Sequence, residues 1–395
     1  MIGLKDFDGY LMSEDTVLGI IENGELVRIV DAVRLPFHFI YADDPSLEKW
    51  VHQRAVDISR TNSRFLLREI AEEAGIEQAV LSVNAASVTD TYWLKEAGSD
   101  LTYEQIRFKS DDLARVALLG SSAGVHNPVK QSAEITSIGS FEKCWRIEDG
   151  KWWLYKSGDP AHTFSELLCY EIGRYLGIEM AHYENVTREE VNRIFNCRVV
   201  SSFSAVKTLD FTDGASVNFE PAIDLGCSRS NAAKNYEILY ALSPQAARQY
   251  QGMVLLDALV YNGDRHLFNF GILRDVETGE VLRLSPVYDQ NLAVWMSIAD
   301  YDIIMSNQKD NLFVNWARMT DAIGEAVHIP PLSREVFQSV MERIDFPAFE
   351  KDDREALVDV LSLRGQWIAD KVQQINKVYP EPVPIADMLR HRRSR

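Results

Sequence analysis

The segment Tyr261-Asn262-Gly263-Asp264-Arg265-His266-Leu267-Phe268-Asn269-Phe270-Gly271, with Asp289 following twenty residues after Asn269, decides how the rest of the chain is understood. Asp264 and Asn269 stand five residues apart. That D-x-x-x-x-N spacing occurs in phosphotransferase loops, where the Asp accepts a hydroxyl proton and the Asn holds Mg²⁺. Mg²⁺ is a hard cation that takes one or two protein oxygens together with waters and phosphate oxygens. Asn269 and Asp289 suit it as metal ligands, and Asp264 suits the role of catalytic base.

The sequence around this segment supplies a way to bring the ligands together. Phe270 to Leu273 and Val281 to Leu284 are short apolar runs on either side of Glu277-Thr278-Gly279-Glu280, a hairpin signal. Pairing Asp275 with Glu280 sets Asn269 opposite Pro286, from which Asp289 can turn back. Upstream, residues 231 to 262 carry a helical pattern, and Tyr250 to Val260 leads straight into the loop. A rigid helix is the support that a positioned base requires.

The chain has 395 residues, enough for two or three domains. Its 41 Lys and Arg against 59 Asp and Glu give a net charge of −18, which argues against bulk nucleic acid or an anionic membrane as the main partner. Cys144, Cys169, Cys197 and Cys227 form no C-x-x-C pair, so neither a zinc knuckle nor a disulfide framework is indicated. Acidic residues interrupt the first twenty positions, and no later run approaches eighteen apolar residues; a cytoplasmic setting is expected. The basic run Arg390 to Arg395 is expected to be a solvated tail beyond the stiff segment Pro380 to Pro384.

In chain order, residues 1–125 read as an accessory α+β part. Strands are expected near Thr16–Ile21 and Glu25–Val30, and helices near Leu47–Ser59 and Arg64–Ala74. Tyr92-Trp93-Leu94 reads as core, and Gly120 to Gly124 with Pro128 reads as a linker. Asp149-Gly150 sits between two β-favouring aromatic runs, one from Ile135 to Ile147 and the other from Lys151 to Lys156, and predicts a hairpin. At the start of the first run, the loop from Ser137 to Phe141 can offer Gly139 and Ser140 backbone groups to phosphates.

Lys156 closes the second strand and is followed by a helix in which Leu167, Leu168, Ile172, Tyr175 and Leu176 share a face, with Glu166 beside it. Nucleotide phosphotransferases set a strand Lys against the α/β-phosphates and hold it with a helix Glu. Ile194 to Phe203 is expected to be a strand linking two lobes, with backbone groups at Ser201 and Phe203 facing an adenine edge. Arg334 to Ile344 and Arg354 to Val378 are expected to be amphipathic helices. The expected division is 1–125 accessory, 126–205 nucleotide-binding lobe and 206–395 mainly helical catalytic lobe.

Gly139-Ser140-Phe141-Glu142-Lys143, Lys156, Ser165-Glu166, Asn262-Gly263-Asp264-Arg265-His266-x-x-Asn269-Phe270 and Pro286-Val287-Tyr288-Asp289 together resemble the HipA-like serine/threonine kinases, over about residues 130–375. The likeness is to a branch with a divergent amino-terminal domain. It implies an α+β, two-lobed, protein-kinase-like fold, with ATP and Mg²⁺ as cofactors and a protein hydroxyl as phosphate acceptor. Matched residue by residue, Asp264 is the base, Asn269 and Asp289 the metal ligands, Lys156 the ATP lysine and Glu166 its helix partner. Autophosphorylation at Ser137, Ser140 or Ser165 and pairing with a small helix-turn-helix antitoxin are further implications.

Two other readings stand beside this one. A metal-dependent phosphohydrolase would use Asp264, His266 and Asp289, but no second histidine is grouped with His266 as a transition-metal site usually requires. A pseudokinase or scaffold would keep the nucleotide groups without transfer. Asp and Asn also close turns; Lys156, Glu166 and Asp289 in kinase order set this pair apart from ordinary turn residues.

Overall fold

The computed structural model describes residues 3–57, 62–63, 76–120, 132–137, 141–306, 308–346 and 351–380. The expected helix near Arg64–Ala74, the linker beyond Gly120, Gly139 and Ser140, and the basic tail all lie outside these residues. The fold is α+β. The chain divides into two compact units: the first is Met1–Thr163, Ala181–Cys227 and Leu267–Pro286, the second Phe164–Met180, Ser228–His266 and Val287–Arg395.

Three antiparallel sheets of the described residues belong to the first unit. One runs β3-β2-β1-β4, where β1 is Gly9–Ser13, β2 Thr16–Glu22, β3 Glu25–Ile29 and β4 Tyr92–Glu96. Leu11, Leu18, Ile21, Trp93 and Leu94 are inside it and at most 1% exposed, so the aromatic run at 92–94 is core, as its composition suggests. Helices α1 (Leu47–Gln53) and α2 (Ile76–Ser82) contribute Trp50, Val51, Val80 and others to the same cluster. Ser46 caps α1, its hydroxyl accepting from the Lys49 N–H at 3.2 Å.

The second sheet runs β5-β6-β8-β7, with β5 Lys143–Glu148, β6 Lys151–Gly158, β7 Tyr183–Val186 and β8 Ser204–Leu209. Asp149 (φ 50°) and Gly150 (φ 76°) make the expected two-residue turn, with Glu148 opposite Lys151. Positive φ at both central positions matches the twist of the flanking strands. The first strand begins later than its pattern suggests: Ala133–Thr136 is a 3₁₀ turn capped by Ser132.

The expected strand over 194–203 is also displaced. Thr187 and Glu190 form a capping box that starts a helix, Arg188–Ile194, so Ile194 is its last residue. Ser201 lies in an exposed turn, Phe203 is half-buried, and the strand opens only at Ser204.

The third sheet is β11-β10-β9, built from β9 Val217–Pro221, β10 Gly271–Asp275 and β11 Val281–Leu284. The Asp275 N–H donates to Glu280 as the hairpin reading requires, at 2.9 Å. A bulge between Leu273 and Arg274 then moves the register by one residue, putting Ile272 opposite Leu284. Gly271 is needed at the strand entry, since a Cβ there would stand 2.1 Å from the Glu220 carbonyl oxygen.

A buried node joins this sheet to the amino-terminal one. Glu220 accepts from the Arg274 guanidinium and from the Tyr92 hydroxyl (2.9 Å), while Arg274 also donates to the Leu35 carbonyl at 3.0 Å and the Val33 carbonyl at 2.6 Å. Arg274 and Glu220 are 1% and 3% exposed, burial that charges tolerate only when paired and fully hydrogen-bonded.

The second unit is helical in its described residues. Its principal helices are α3 (Pro160–Tyr175, within the unit from Phe164 on), α4 (Ala232–Leu242), α5 (Pro244–Val260), α6 (Asn311–Ile323), α7 (Arg334–Glu342) and α8 (Lys351–Val378). Leu167, Leu168 and Ile172 of α3 are buried, and so are Leu357, Leu361, Ile368 and Ile375 along α8. Among the described residues no helix is long and apolar enough to cross a membrane.

Candidate functional site

The loop that carries Asp264 is mounted on α5. Ser243 caps this helix, accepting from the Ala246 N–H at 3.3 Å, and Pro244 occupies its first turn, where the missing N–H costs nothing. Buried residues run almost continuously from Met253 to Val260. The helix stops at Tyr261, a non-glycine residue held left-handed (φ 60°) whose N–H returns to the Asp257 carbonyl. Two contacts hold that unfavourable geometry: the Tyr261 hydroxyl donates to Asp300 at 3.0 Å, and the Arg364 guanidinium lies 4.7 Å from the ring centroid.

Beyond Tyr261 a three-residue network fixes the loop. Asp257, 5% exposed, accepts from Arg265 through Nε and Nη2, both at 2.9 Å, and from Asn262 Nδ2 at 2.9 Å. Asn262 is fully buried, and its oxygen accepts the Asp264 N–H at 3.3 Å. Arg265 spends its remaining Nη1 on the Tyr288 carbonyl at 2.6 Å, so one guanidinium binds the residue after Asp264 to the residue before Asp289. Burial works against the Arg265 charge, yet Asp257 holds the guanidinium above its ordinary value.

Asp264, His266 and Asp289 lie within one another's electric field. Burial pushes the Asp264 carboxyl up, His266 draws it down and Asp289 pushes it up again, for a net rise. His266 is displaced the opposite way: burial lowers it, and the two carboxylates only partly offset that. Asp289 is half-buried and left-handed (φ 63°). A carboxylate whose neighbour raises its affinity for a proton also favours a divalent cation, and oxygen donors of this type fit Mg²⁺.

Helix α3 secures the segment just after Asp289. Glu166, 1% exposed, accepts the Gln290 N–H at 3.0 Å. Ser165 donates to the Gln290 carbonyl and accepts the Val294 N–H at 3.1 Å. With both donor and acceptor engaged and no exposure, the Ser165 hydroxyl is not presented for modification. Gln290 is fully buried with no hydrogen-bond partner for either amide atom among the described residues.

The second unit thus brings together Asp264, His266, Asp289 and Glu166. The other residues singled out from the sequence fall in the first unit. Lys156 is 7% exposed on β6, opposite Lys143 of β5 and Val206 of β8, with its Nζ 6.0 Å from the Tyr183 ring centroid. Asn269 is 4% exposed, in a turn whose flanks are bonded to the segment after β9: Ile223 N–H to Leu267, and Ala222 N–H to Phe270. Ser201 and Phe203 precede β8, and Gly139 and Ser140 are outside the described residues. Glu48, His52 and Glu77, also in the first unit, place three ligand-type atoms within 4.8 Å of one another, with His52 Nε2 3.0 Å from the Glu77 carboxylate.

Sequence reading missed Asp257, Asn262, Arg265 and Gln290 as supporting residues. A signal existed for one of them. Asp257 is a lone carboxylate in the run Val254-Leu255-Leu256-Asp257-Ala258-Leu259-Val260, and a carboxylate inside an apolar helix is buried only with a partner.

A comparison with curated proteins finds no match. Among solved structures, the chain is similar to the proinflammatory kinase CtkA of Helicobacter pylori, with a TM-score of 0.43 and 14% identity over 61% of this chain and 93% of that one. It is also similar to HipA of a Shewanella oneidensis MR-1 toxin-antitoxin system, solved with HipB and operator DNA, with a TM-score of 0.47 and 13% identity over 86% of this chain and 89% of that one. The family model for the HipA-like C-terminal domain matches residues 121–346, more than half of the chain and the whole stretch from Lys156 through Asp289. On that match, the chain belongs to the HipA-like C-terminal domain family.

Proposed function

We propose that the chain is an ATP- and Mg²⁺-dependent serine/threonine protein kinase. The observation that carries this reading is the pair Asp264 and Asp289, two carboxylates in one field, held by the Asp257–Asn262–Arg265 network inside a HipA-like domain. In the transfer, the acceptor hydroxyl oxygen forms a bond to the γ-phosphorus, the bond to the β–γ bridging oxygen breaks, and the hydroxyl proton passes to Asp264. Asn269 and Asp289 would hold Mg²⁺, which when bound neutralises charge on the phosphates. Lys156 would pair with the α/β-phosphates, with Glu166 fixing the adjoining segment. Gly139 and Ser140 would offer backbone N–H groups to phosphate, and backbone groups at Ser201 and Phe203 would meet the adenine edge.

On this reading residues 1–125 are an accessory region, 126–205 carry the nucleotide groups and 206–395 the catalytic ones. The acceptor is a protein hydroxyl, and a small helix-turn-helix antitoxin is the partner to look for. The half-buried Asp264 with its raised carboxyl suits a group that must take a proton, since catalytic bases are tuned toward the working pH. Radiolabelled ATP incubated with a cell lysate and purified protein tests this. Label transfer that is lost in Asp264→Ala and Asp289→Asn supports it, and transfer undiminished in either variant overturns it.

A further inference from the structure

Helices α4 and α5 form a hairpin joined by the single residue Ser243, and they pack along their lengths. Helices joined in this way run antiparallel, so the start of α4 lies beside the C-terminal half of α5, the end from which the Asp264 loop emerges. One contact fixes their alignment: Asn235 Nδ2, in the first turn of α4, donates to the Tyr250 hydroxyl of α5 at 3.0 Å. Asn231 lies about one turn beyond Asn235 toward that same end.

The segment ahead of α4 is anchored on both sides. Asn235 accepts the Ser228 N–H and donates to the Ser228 carbonyl, both at 2.7 Å. Asn231 caps the helix by accepting the Lys234 N–H at 3.0 Å, and the Ala232 N–H donates to Asn315 of α6 at 3.3 Å. Arg229 stands between these anchors, in the same unit as Asp264 and His266.

Arg229 is exposed and makes no hydrogen bond or ion pair among the described residues. Its charge still reaches the site. It draws the Asp264 carboxyl down and opposes protonation of His266, in both cases more strongly than Arg265 does, although Arg265 sits between those two residues in sequence. Arg265 has each of its nitrogens bonded to Asp257 or the Tyr288 carbonyl, whereas Arg229 is free to meet a substrate. Arg229 and Asp264 share a field without forming an ion pair, which leaves space between them for a group that belongs to neither.

The chemistry of transfer says what that group is. Phosphoryl transfer spreads negative charge over three equatorial oxygens, beside a carboxylate that must still take a proton. A planar guanidinium offers paired N–H donors that match two such oxygens at once, and a donor already in place stabilises the transition state without reorganisation. We propose that Arg229 is a further catalytic residue, whose guanidinium binds two equatorial oxygens of the γ-phosphoryl group during transfer. The proposal rests on the kinase reading above. In the step, the acceptor oxygen bonds to phosphorus, the bridging oxygen leaves with the electron pair of the bond it loses, and the acceptor proton goes to Asp264. Arg229 keeps all its protons and contributes charge and orientation alone.

Rates of label transfer from radiolabelled Mg²⁺-ATP, with the purified full chain and a cell lysate as the source of acceptor, test this. Arg229→Ala is expected to lower the maximal rate about 10²-fold or more, with the KM for ATP changed by less than about twofold and the melting temperature unaltered. Arg229→Lys is expected to recover part of the loss, since it keeps the charge and lacks the fork. Free guanidinium ion at millimolar concentration is expected to restore activity to Arg229→Ala and not to Asp264→Ala. An Arg229→Ala rate equal to that of the unaltered chain, or a loss confined to the KM for ATP or for the acceptor, overturns the proposal while the kinase reading stands. Absence of transfer by the unaltered chain overturns the kinase reading itself, and the proposal with it.

Discussion

Each unit has at its centre a buried carboxylate bound to an arginine, and the two pairs serve different ends. In the first unit, Glu220 and Arg274 gather groups from far along the chain: the Tyr92 hydroxyl and the carbonyls of Val33 and Leu35. In the second, Asp257 and Arg265 stand only eight residues apart, and their remaining bonds go to Asn262 and the Tyr288 carbonyl, beside Asp264 and Asp289. The same chemistry thus closes a fold in one place and aims a loop in the other. What separates them is the identity of the third partner: distant backbone for the former, the neighbours of candidate catalytic groups for the latter.

Substitutions can break or sharpen this contrast, and the largest effect is expected at the loop itself. Asp264→Ala should lower phosphate transfer by roughly 10²- to 10⁴-fold, the usual contribution of a positioned base, while the melting temperature stays the same. Next come the two buried pairs. Glu220→Ala and Arg265→Ala should each cost about 3–5 kcal/mol in urea unfolding, because each leaves an uncompensated buried charge. They should differ in turnover per folded molecule, retained in Glu220→Ala and lost in Arg265→Ala. If both lose it equally, the division between architecture and aiming fails.

A smaller change is expected at Gln290, whose buried amide lacks partners among the described residues. Replacing it by Leu should leave the melting temperature unchanged or raise it, since an unsatisfied buried amide costs about 1–3 kcal/mol. A clear fall in melting temperature would reveal a bound water or other partner. The smallest effect belongs to the partly buried pair Glu148 and Lys207 of the first unit, 2.8 Å apart. Burial alone would raise the Glu148 carboxyl, but hydrogen bonds from Lys207 and Tyr155 bring it below its ordinary value. A lowered carboxyl contributes stability that is present above its unfolded value and lost as pH falls through the folded one. Glu148→Gln should therefore flatten the acid limb of the stability curve below about pH 4.5, by no more than about 1 kcal/mol.

Local chemistry made much of this legible before any coordinates. Asp149-Gly150 announces its hairpin because only a turn with two positive φ values joins such strands without splaying them. The apolar spacing of α3 and the run leading into Asp264 are equally local. The 194–203 segment misled because Arg198-Val199-Val200 is β-favouring, while the helix before it is decided by a cap at Thr187. The Glu220–Arg274 pair was illegible for a different reason, since nothing near either residue names a partner separated by 54 positions. At the candidate site the chemically distinctive residues could be named, but the groups that hold them could not. Asn262 and Arg265 were quoted within the motif, and their work is visible only once Asp257 is known to be buried beneath them.

The reach of Arg274 also sets an order of events during synthesis. Its bond to the Leu35 carbonyl spans 239 residues. At about 5–20 residues per second, the ribosome needs on the order of ten to fifty seconds to supply the guanidinium after residue 35 has been made. Through that interval the Val33 and Leu35 carbonyls are without the guanidinium they accept from in the folded chain, so the amino-terminal sheet is made long before it is finished.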